Sequence, residues 1–498
     1  MKKKLSICVL AMFIGLALVE SGLSVPQLSG ISRDDTNRRI APSEWRRMKT
    51  AERMDKQGLL HRTTAVVDKS EEMLRIPDIA PEKTGFTVAK TPPTVEFVVI
   101  PIENRYFFEG PSKDKGPGLW TAWGQGTYNP NNGKFYGSIG DHIFFDSRLH
   151  ITEYDPQTKS IRTFPEINKA CGLPIDYGDG KIHGTLDFYG GNTMYFMTYW
   201  TEYPQPREEL FDLGYEGGRL LSFDVDKEKL TDFGVPMKRV SWPYHRMDRK
   251  RGLMYAVGSM NEFLCYDIKN QKILYAGYPP AGMLWYDRCM MVDEETGCAY
   301  SSNLSRDDPQ IHIIKYDSSK NRFFKMKSSV PLTESKTLQG NHIRAYTPRK
   351  AKDGWFICIT RAGRMFKFFP EEDRVEDLGF CWAAPPEQLY TTSIAISPDD
   401  KYIYYVPAAH GGTHKLGGPV VQYNTITGER KALAFLFPYF YEKYGYITGG
   451  TFSVSIDEKG EKLFIVMNGA FAKFDPTGGD VFGDPAVMVI HIAESERK

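Results

Sequence analysis

From about residue 95 to the C-terminus one short pattern recurs seven times, and no other feature restricts the fold of this chain so tightly. A strand-like run ends in an aromatic and an Asp-like turn residue, and a short polar turn then leads into another strand. Clear copies are His150 to Asp155, Leu220 to Asp224, Glu262 to Asp267 and Ile311 to Asp317; weaker ones are Met365 to Pro370, Val420 to Asn424 and Val487 to His491. Successive copies end 43 to 69 residues apart. A period of that size marks one supersecondary unit stacked repeatedly, with long loops in some copies.

Within each copy the side chains alternate as in a half-buried strand, and the Asp, Asn, Lys and Gly turns suit tight hairpins. A further hairpin precedes each copy, for example Ile394 to Val406 and Phe452 to Val466. Four strands per unit follow. The expected fold is all-β: a seven-bladed β-propeller of four-stranded antiparallel blades over residues 94–498. An array of β-sandwiches suits seven near-equal units less well. The last copy reaches Lys498 before a fourth strand can form, whereas Thr94 to Pro101 is strand-like with no hairpin partner before it. The N-terminal segment is therefore expected to complete the last blade, which leaves no open edge where the ring closes.

The first 24 residues read as an export signal: Lys2, Lys3 and Lys4, an apolar run from Leu5 to Val19, then small and polar residues. Glu20 interrupts the run short of a membrane span, and no Cys lies just after the run to carry a lipid. The expected location is periplasmic or extracellular. Residues 25–93 are polar and proline-rich, with a capped helix start at Ser43, and are expected to form short helices and a linker on the outside of the propeller or on one of its faces. Six cysteines lie beyond the signal, with no CxxC spacing. Cys289 and Cys298 could pair across a hairpin or lie buried as small apolar side chains. Lysine plus arginine (63) nearly balance aspartate plus glutamate (62), so net charge gives no case for a nucleic acid or an anionic membrane as partner.

In a propeller the innermost strands line a central channel, and sites form at the face where they begin. Sorted on this map, His61 lies in the N-terminal extension, and His150, His312 and His491 lie in third strands. The other six fall near the channel mouth: His183, His245 and His342 at starts of innermost strands, and His142, His410 and His414 at ends of second strands. The same positions supply Trp120, Trp123, Lys181, Tyr199, Trp200, Tyr244, Arg246, Trp285, Tyr286, Arg344 and Arg361. For each of these, packing between blades is the plain alternative to a functional role.

Aromatic faces beside His, Tyr, Arg and Lys suit an acidic, hydroxyl-rich ligand, because rings stack on sugars and guanidinium forks hold carboxylate or sulfate. The same residue types suit β-elimination of a uronate. A cation neutralises the carboxylate, a neutral His or ionised Tyr removes the adjacent proton, and a Tyr or His protonates the leaving oxygen. The roles assigned are His183 as base, Tyr199 or Tyr244 as acid, Arg246 and Arg344 as carboxylate holders, and His245 beside them. Trp120, Trp123, His142, Lys181, Trp200, Trp285, Tyr286 and Arg361 are assigned to substrate binding. Asp141 and Asp287 are the acidic side chains at the mouth, a thin basis for a two-carboxylate hydrolase. There is no GxSxG, Walker loop, HExxH or CxxCH motif.

An export signal, seven blades and a mouth lined by His, Tyr and Arg resemble the propeller polysaccharide lyases, notably the ulvan lyases and oligogalacturonate lyases. The resemblance covers the architecture of residues 94–498 and the residue types of the site. It implies a carbon–oxygen lyase acting on an acidic polysaccharide or oligosaccharide. Its oligogalacturonate branch implies a divalent metal such as Mn, Ca or Zn held by several His and a Gln, for which His342, His410 and His414 with Gln339 are candidates. The competing expectation is a non-catalytic propeller that binds glycans or proteins.

Overall fold

The computed structural model describes residues 54–102, 120–141, 148–173, 178–200, 211–212, 214–334 and 340–498. The proposed signal segment, the helix start at Ser43, His142 and Gln339 lie outside the described residues. The chain folds as a seven-bladed propeller whose blades follow one another in sequence. Blade one runs Trp120–Thr121 with Thr127–Asn129, Lys134–Asp141, Leu149–Asp155 and Ser160–Thr163. Blade two runs Asp187–Phe188, Thr193–Met197, Leu220–Asp224 and Lys229–Asp232, with Asp179–Lys181 and Tyr199–Trp200 pairing at the channel end of its first two strands. Blades three to five start at Tyr244–Asp248, Met291–Asp293 and Ile343–Tyr346, and blade six at Ile394–Ile396. Blade seven starts with the long strand Tyr446–Ile456. All seven copies of the sequence pattern are third strands; at Asp155, Asp224, Asp267, Asp317 and Asn424 the side chain caps the following turn by accepting a backbone N–H.

The ring closes as the sequence predicts. Thr94–Val99 pairs antiparallel with Ala486–His491, in the register Thr94↔His491 to Val99↔Ala486. Its alternate residues face two neighbours. Val95, Phe97 and Val99 enter the apolar cluster shared with blade six. Val98 and Ile100 enter the cluster between blades seven and one. Buried Glu96 accepts from the Tyr154 hydroxyl of blade one and from His491 Nε2 at 3.0 Å, with Lys159 Nζ at 3.5 Å. Burial works to raise its pKa, but the bonds from His491 and Tyr154 hold it below the usual carboxylate range.

Between about residues 54 and 93 the structure has 3-10 turns at Leu59–His61 and Glu71–Leu74 together with two strands, rather than short helices alone. Val66–Lys69 adds antiparallel to Thr94–Val99 as a fifth strand of blade seven. Thr87–Val88 adds parallel to blade six at Lys431 and Ala432. The outermost strand of a blade presents unpaired backbone groups, and a passing segment satisfies them whatever its own propensity. Cys289 and Cys298 are buried and free, and so are Cys265, Cys358 and Cys381; Cys171 is free and half-buried. No helix among the described residues is long and apolar enough to cross a membrane.

Candidate functional site

Side-chain hydrogen bonds join the innermost strands to one another around the channel. Ser453 Oγ accepts from Gly126 N at 2.9 Å, Ser393 Oγ accepts from Val454 N at 2.8 Å, and Gln125 Nε2 donates to Thr392 O at 3.2 Å. Glycine permits the closest approach. A Cβ on Gly124 would stand 2.6 Å from Ile182 O, and one on Gly184 would meet the His245 imidazole and its backbone nitrogen. At one end of this frame, irregularities in the strands turn functional side chains toward one another.

Three of these irregularities fall at residues of the candidate site. Lys181 and Tyr199 are cross-strand partners, with a register shift immediately after Tyr199. Arg344 sits where the register of its strand slips between Ile343 and Ala345. Phe452 lies in the slip between Thr451 and Val454. A bulge breaks alternation and re-aims a side chain. In consequence Lys181 Nζ lies 4.7 Å from the Tyr199 ring centroid and 5.7 Å from that of Trp123. The Arg344 guanidinium lies 5.5 Å from the rings of both Tyr390 and Phe452.

His183 follows Lys181 on the same blade. Its ring is stacked at 6.3 Å and 9° on Trp123 and edge-on at 5.7 Å to Tyr199. Arg288, in the loop before the innermost strand of blade four, completes the group. Its Nη1 is 3.4 Å from His183 Nε2, its Nη2 donates to the Tyr199 hydroxyl at 3.4 Å, and its Nε lies 3.5 Å from Asp287 Oδ2. A guanidinium only donates, so His183 Nε2 presents its lone pair. Arg344 Nε donates to the Tyr390 hydroxyl at 2.8 Å and Nη1 to the Arg288 carbonyl at 3.2 Å. Arg361 lies 5.2 Å from the Tyr390 ring. Burial works to raise the Tyr390 phenol, but the charges of Arg344, Arg361 and Arg288 outweigh it and hold the phenol below its ordinary range.

The structure therefore brings together Trp123, Lys181, His183, Tyr199, Arg344 and Arg361 from the sequence prediction. It adds Arg288, Tyr390 and Phe452, which sequence reasoning missed. Tyr390 precedes the innermost strand of blade six just as Tyr286 precedes that of blade four, so the repeat itself carried that signal. Arg288 directly follows the noted Tyr286 and Asp287. Lys181 and Arg344 are each only 2 % exposed and His183 7 %, so an anion here meets cations in a poorly hydrated setting.

Other named residues have different surroundings. Tyr244 donates to the Tyr346 hydroxyl at 3.2 Å, and burial pushes its phenol up to about 12. His245 Nε2 contacts Thr185 O at 2.9 Å, and burial pushes its imidazole down to about 4. Arg246 donates to Pro348 O at 2.9 Å and lies 3.4 Å from Asp187. Trp120, Trp200 and Trp285 are core side chains, the last donating to Cys289 O at 3.1 Å. Tyr286 stacks at 4.8 Å on His342, whose Nδ1 is 3.2 Å from Ser302 Oγ and whose imidazole burial pushes down to about 4. His410 is half-exposed, bonds Asp480 at 3.0 Å and borders Trp123 at 5.4 Å. His414 lies between Phe437 and Phe474, and its imidazole is likewise pushed down to about 4 by burial. Among the described residues no group of three or more His, Cys, Asp or Glu could hold a metal ion. A surface groove of about 460 Å³ between blades one and two, lined by Ile151, Phe164, Phe223 and Leu230, includes none of these residues.

No family model and no curated protein matches the chain. Among solved structures it is similar to "Structure of U3-55K", at 9 % identity and a TM-score of 0.41 over 71 % of this chain and 91 % of that one. It is similar to "Crystal structure of RRP9 WD40 repeats" at the same identity and score, over 72 % and 91 %.

Proposed function

We propose that this propeller binds an acidic, hydroxyl-rich saccharide at its channel mouth. The supporting observation is the gathering of Lys181, Arg288, Arg344 and Arg361 from three blades onto the faces and edges of Trp123, Tyr199, Tyr390 and Phe452. Guanidinium groups fixed in this way hold a carboxylate or sulfate by paired N–H donors, and the half-buried ring of Tyr390 is the aromatic face left for a sugar. The N-terminal composition supports an exported protein that meets such saccharides in the periplasm or outside the cell. Calorimetric titration of the full chain with uronate oligosaccharides and their methyl esters tests the reading. Binding of the acids with loss on esterification is expected; equal affinity for both would overturn it.

A second reading, polysaccharide lyase activity at the same site, is favoured by the contact of His183, Arg288 and Tyr199. An arginine neutralises the uronate carboxylate, which acidifies the adjacent C–H. The His183 Nε2 lone pair takes that proton, the C–H electrons form the new C=C bond, and the C–O bond breaks with Tyr199 protonating the leaving oxygen. The arginines supply the charge for this step; assays with and without Mn, Ca or Zn test whether a divalent ion contributes. Ultraviolet absorbance of the unsaturated uronate, over pectic, ulvan, alginate and glycosaminoglycan substrates, is the readout. Binding without that signal on any substrate leaves a non-catalytic glycan-binding propeller.

A further inference from the structure

Two phenols of the channel mouth, Tyr286 and Tyr390, share the influence of the same arginines but differ in their immediate surroundings. Tyr390 accepts from Arg344 Nε at 2.8 Å, and the Arg344 and Arg361 guanidinium groups lie 5.5 and 5.2 Å from its ring centroid. Arg288 acts on it from blade four, and the edge of Phe452 closes the blade seven side at 6.3 Å. Tyr286 instead stacks flat on the His342 ring, and burial together with the neighbouring Tyr390 opposes its ionisation. Of two adjacent phenols under one set of cations, only one readily carries the charge. The geometry selects Tyr390.

We propose that the Tyr390 phenolic oxygen is the resident occupant of the arginine cluster, and that the acidic group of an incoming ligand displaces it as the acceptor of Arg344. This rests on the reading of the cluster as a receptor for an acidic group. The proton balance is fixed by the exchange. Where Tyr390 is ionised, the entering anion leaves the phenolate without its cation, and the oxygen takes one proton from solvent to become the neutral phenol. Where Tyr390 is already neutral, no proton is taken up. Anion affinity is therefore constant at low pH and falls about tenfold per pH unit above the Tyr390 pKa. A bound anion correspondingly raises that pKa.

The experiment is a tyrosinate absorbance titration of the full chain, with inorganic sulfate as the probe and chloride at matched ionic strength as the control. Of the 28 tyrosines, one is expected to ionise ahead of the others. That early step is lost in Tyr390→Phe, moves to higher pH in Arg361→Gln, and moves to higher pH in wild type when sulfate replaces chloride. A Tyr390→Phe titration that keeps the early step, or an early step that sulfate leaves in place, overturns the proposal. Arg361→Gln keeps the test decisive if Tyr390→Phe fails to fold. The saccharide reading fails separately: a sulfate shift without calorimetric binding of any uronate oligosaccharide overturns that reading and leaves the exchange standing.

Discussion

Replacing Phe97 with alanine should weaken the closure of the ring more than any change on the outer strands. Phe97 is 1 % exposed in the strand that completes blade seven, with ring centroids of Tyr446, Phe440, Tyr444 and Phe471 at 4.9, 5.2, 5.8 and 6.4 Å. Truncation removes roughly 2–3 kcal/mol of apolar transfer. It also leaves a cavity that four large rings, themselves anchored in two strands and a helix, cannot readily fill. Together the loss is about 3–5 kcal/mol. Equilibrium urea unfolding followed by tryptophan fluorescence measures it, as a lowered midpoint with little change of slope. Val67→Ala, on the exposed fifth strand of the same blade, is the control and should cost no more than about 0.5 kcal/mol. A Phe97→Ala loss below about 1 kcal/mol, or one equal to that of the control, would refute the claim that this strand closes the propeller through its buried face.

Asp179 is fully buried, accepting from Thr198 Oγ1 at 2.7 Å and the Tyr215 hydroxyl at 3.1 Å; burial outweighs these bonds and pushes its carboxyl up to about 7. The folded state thus keeps a proton that the unfolded chain releases near pH 4, so wild type should lose roughly 4 kcal/mol relative to Asp179→Asn as pH rises from about 4 to 7. A difference between the two proteins that does not change with pH contradicts this. Glu96, with its depressed carboxyl, behaves oppositely: its stabilisation is complete above the ordinary carboxylate pKa and is lost as pH falls through the folded value. Glu96→Gln should therefore cost about 1–3 kcal/mol at neutral pH and progressively less in acid, as chemical denaturation at several pH values will report. Gly184→Ala drives a methyl group into His245 and should shift the Lys181–His183 segment, weakening uronate binding measured by calorimetry; unchanged binding contradicts the close approach of blades two and three.

The legible part of this fold was its periodicity. The recurring endings of seven third strands, four of them aromatic–Asp, and the lone segment at Thr94 specify blade number and closure, because both follow from local hairpin chemistry and a missing strand. The fifth strands at Val66 and Thr87 were not legible, since edge pairing depends on backbone groups of distant blades rather than on local pattern. At the candidate site, the map of first-strand starts and second-strand ends pointed to Lys181, His183, Tyr199, Arg344 and Arg361, which the structure brings together. It could not distinguish them from Tyr244, His245 or Arg246, which begin a neighbouring strand but are held by other partners: Tyr244 and Arg246 bond Tyr346 and Pro348 of blade five, and His245 bonds Thr185 of blade two. That distinction depends on the bulges at Tyr199 and Arg344, and bulges leave little trace in residue type. Arg288 and Tyr390 lie in loops, where alternation gives no direction.

On the proposed reading, the arginines of the channel mouth hold the acidic group of the ligand. Calorimetric affinity of wild type and Arg288→Gln for a uronate oligosaccharide and its methyl ester tests it most directly. Wild type should prefer the acid by at least about tenfold, added salt should reduce the preference, and Arg288→Gln should lose most of it. An acid and an ester bound equally by wild type, or a preference that survives in Arg288→Gln, would contradict it.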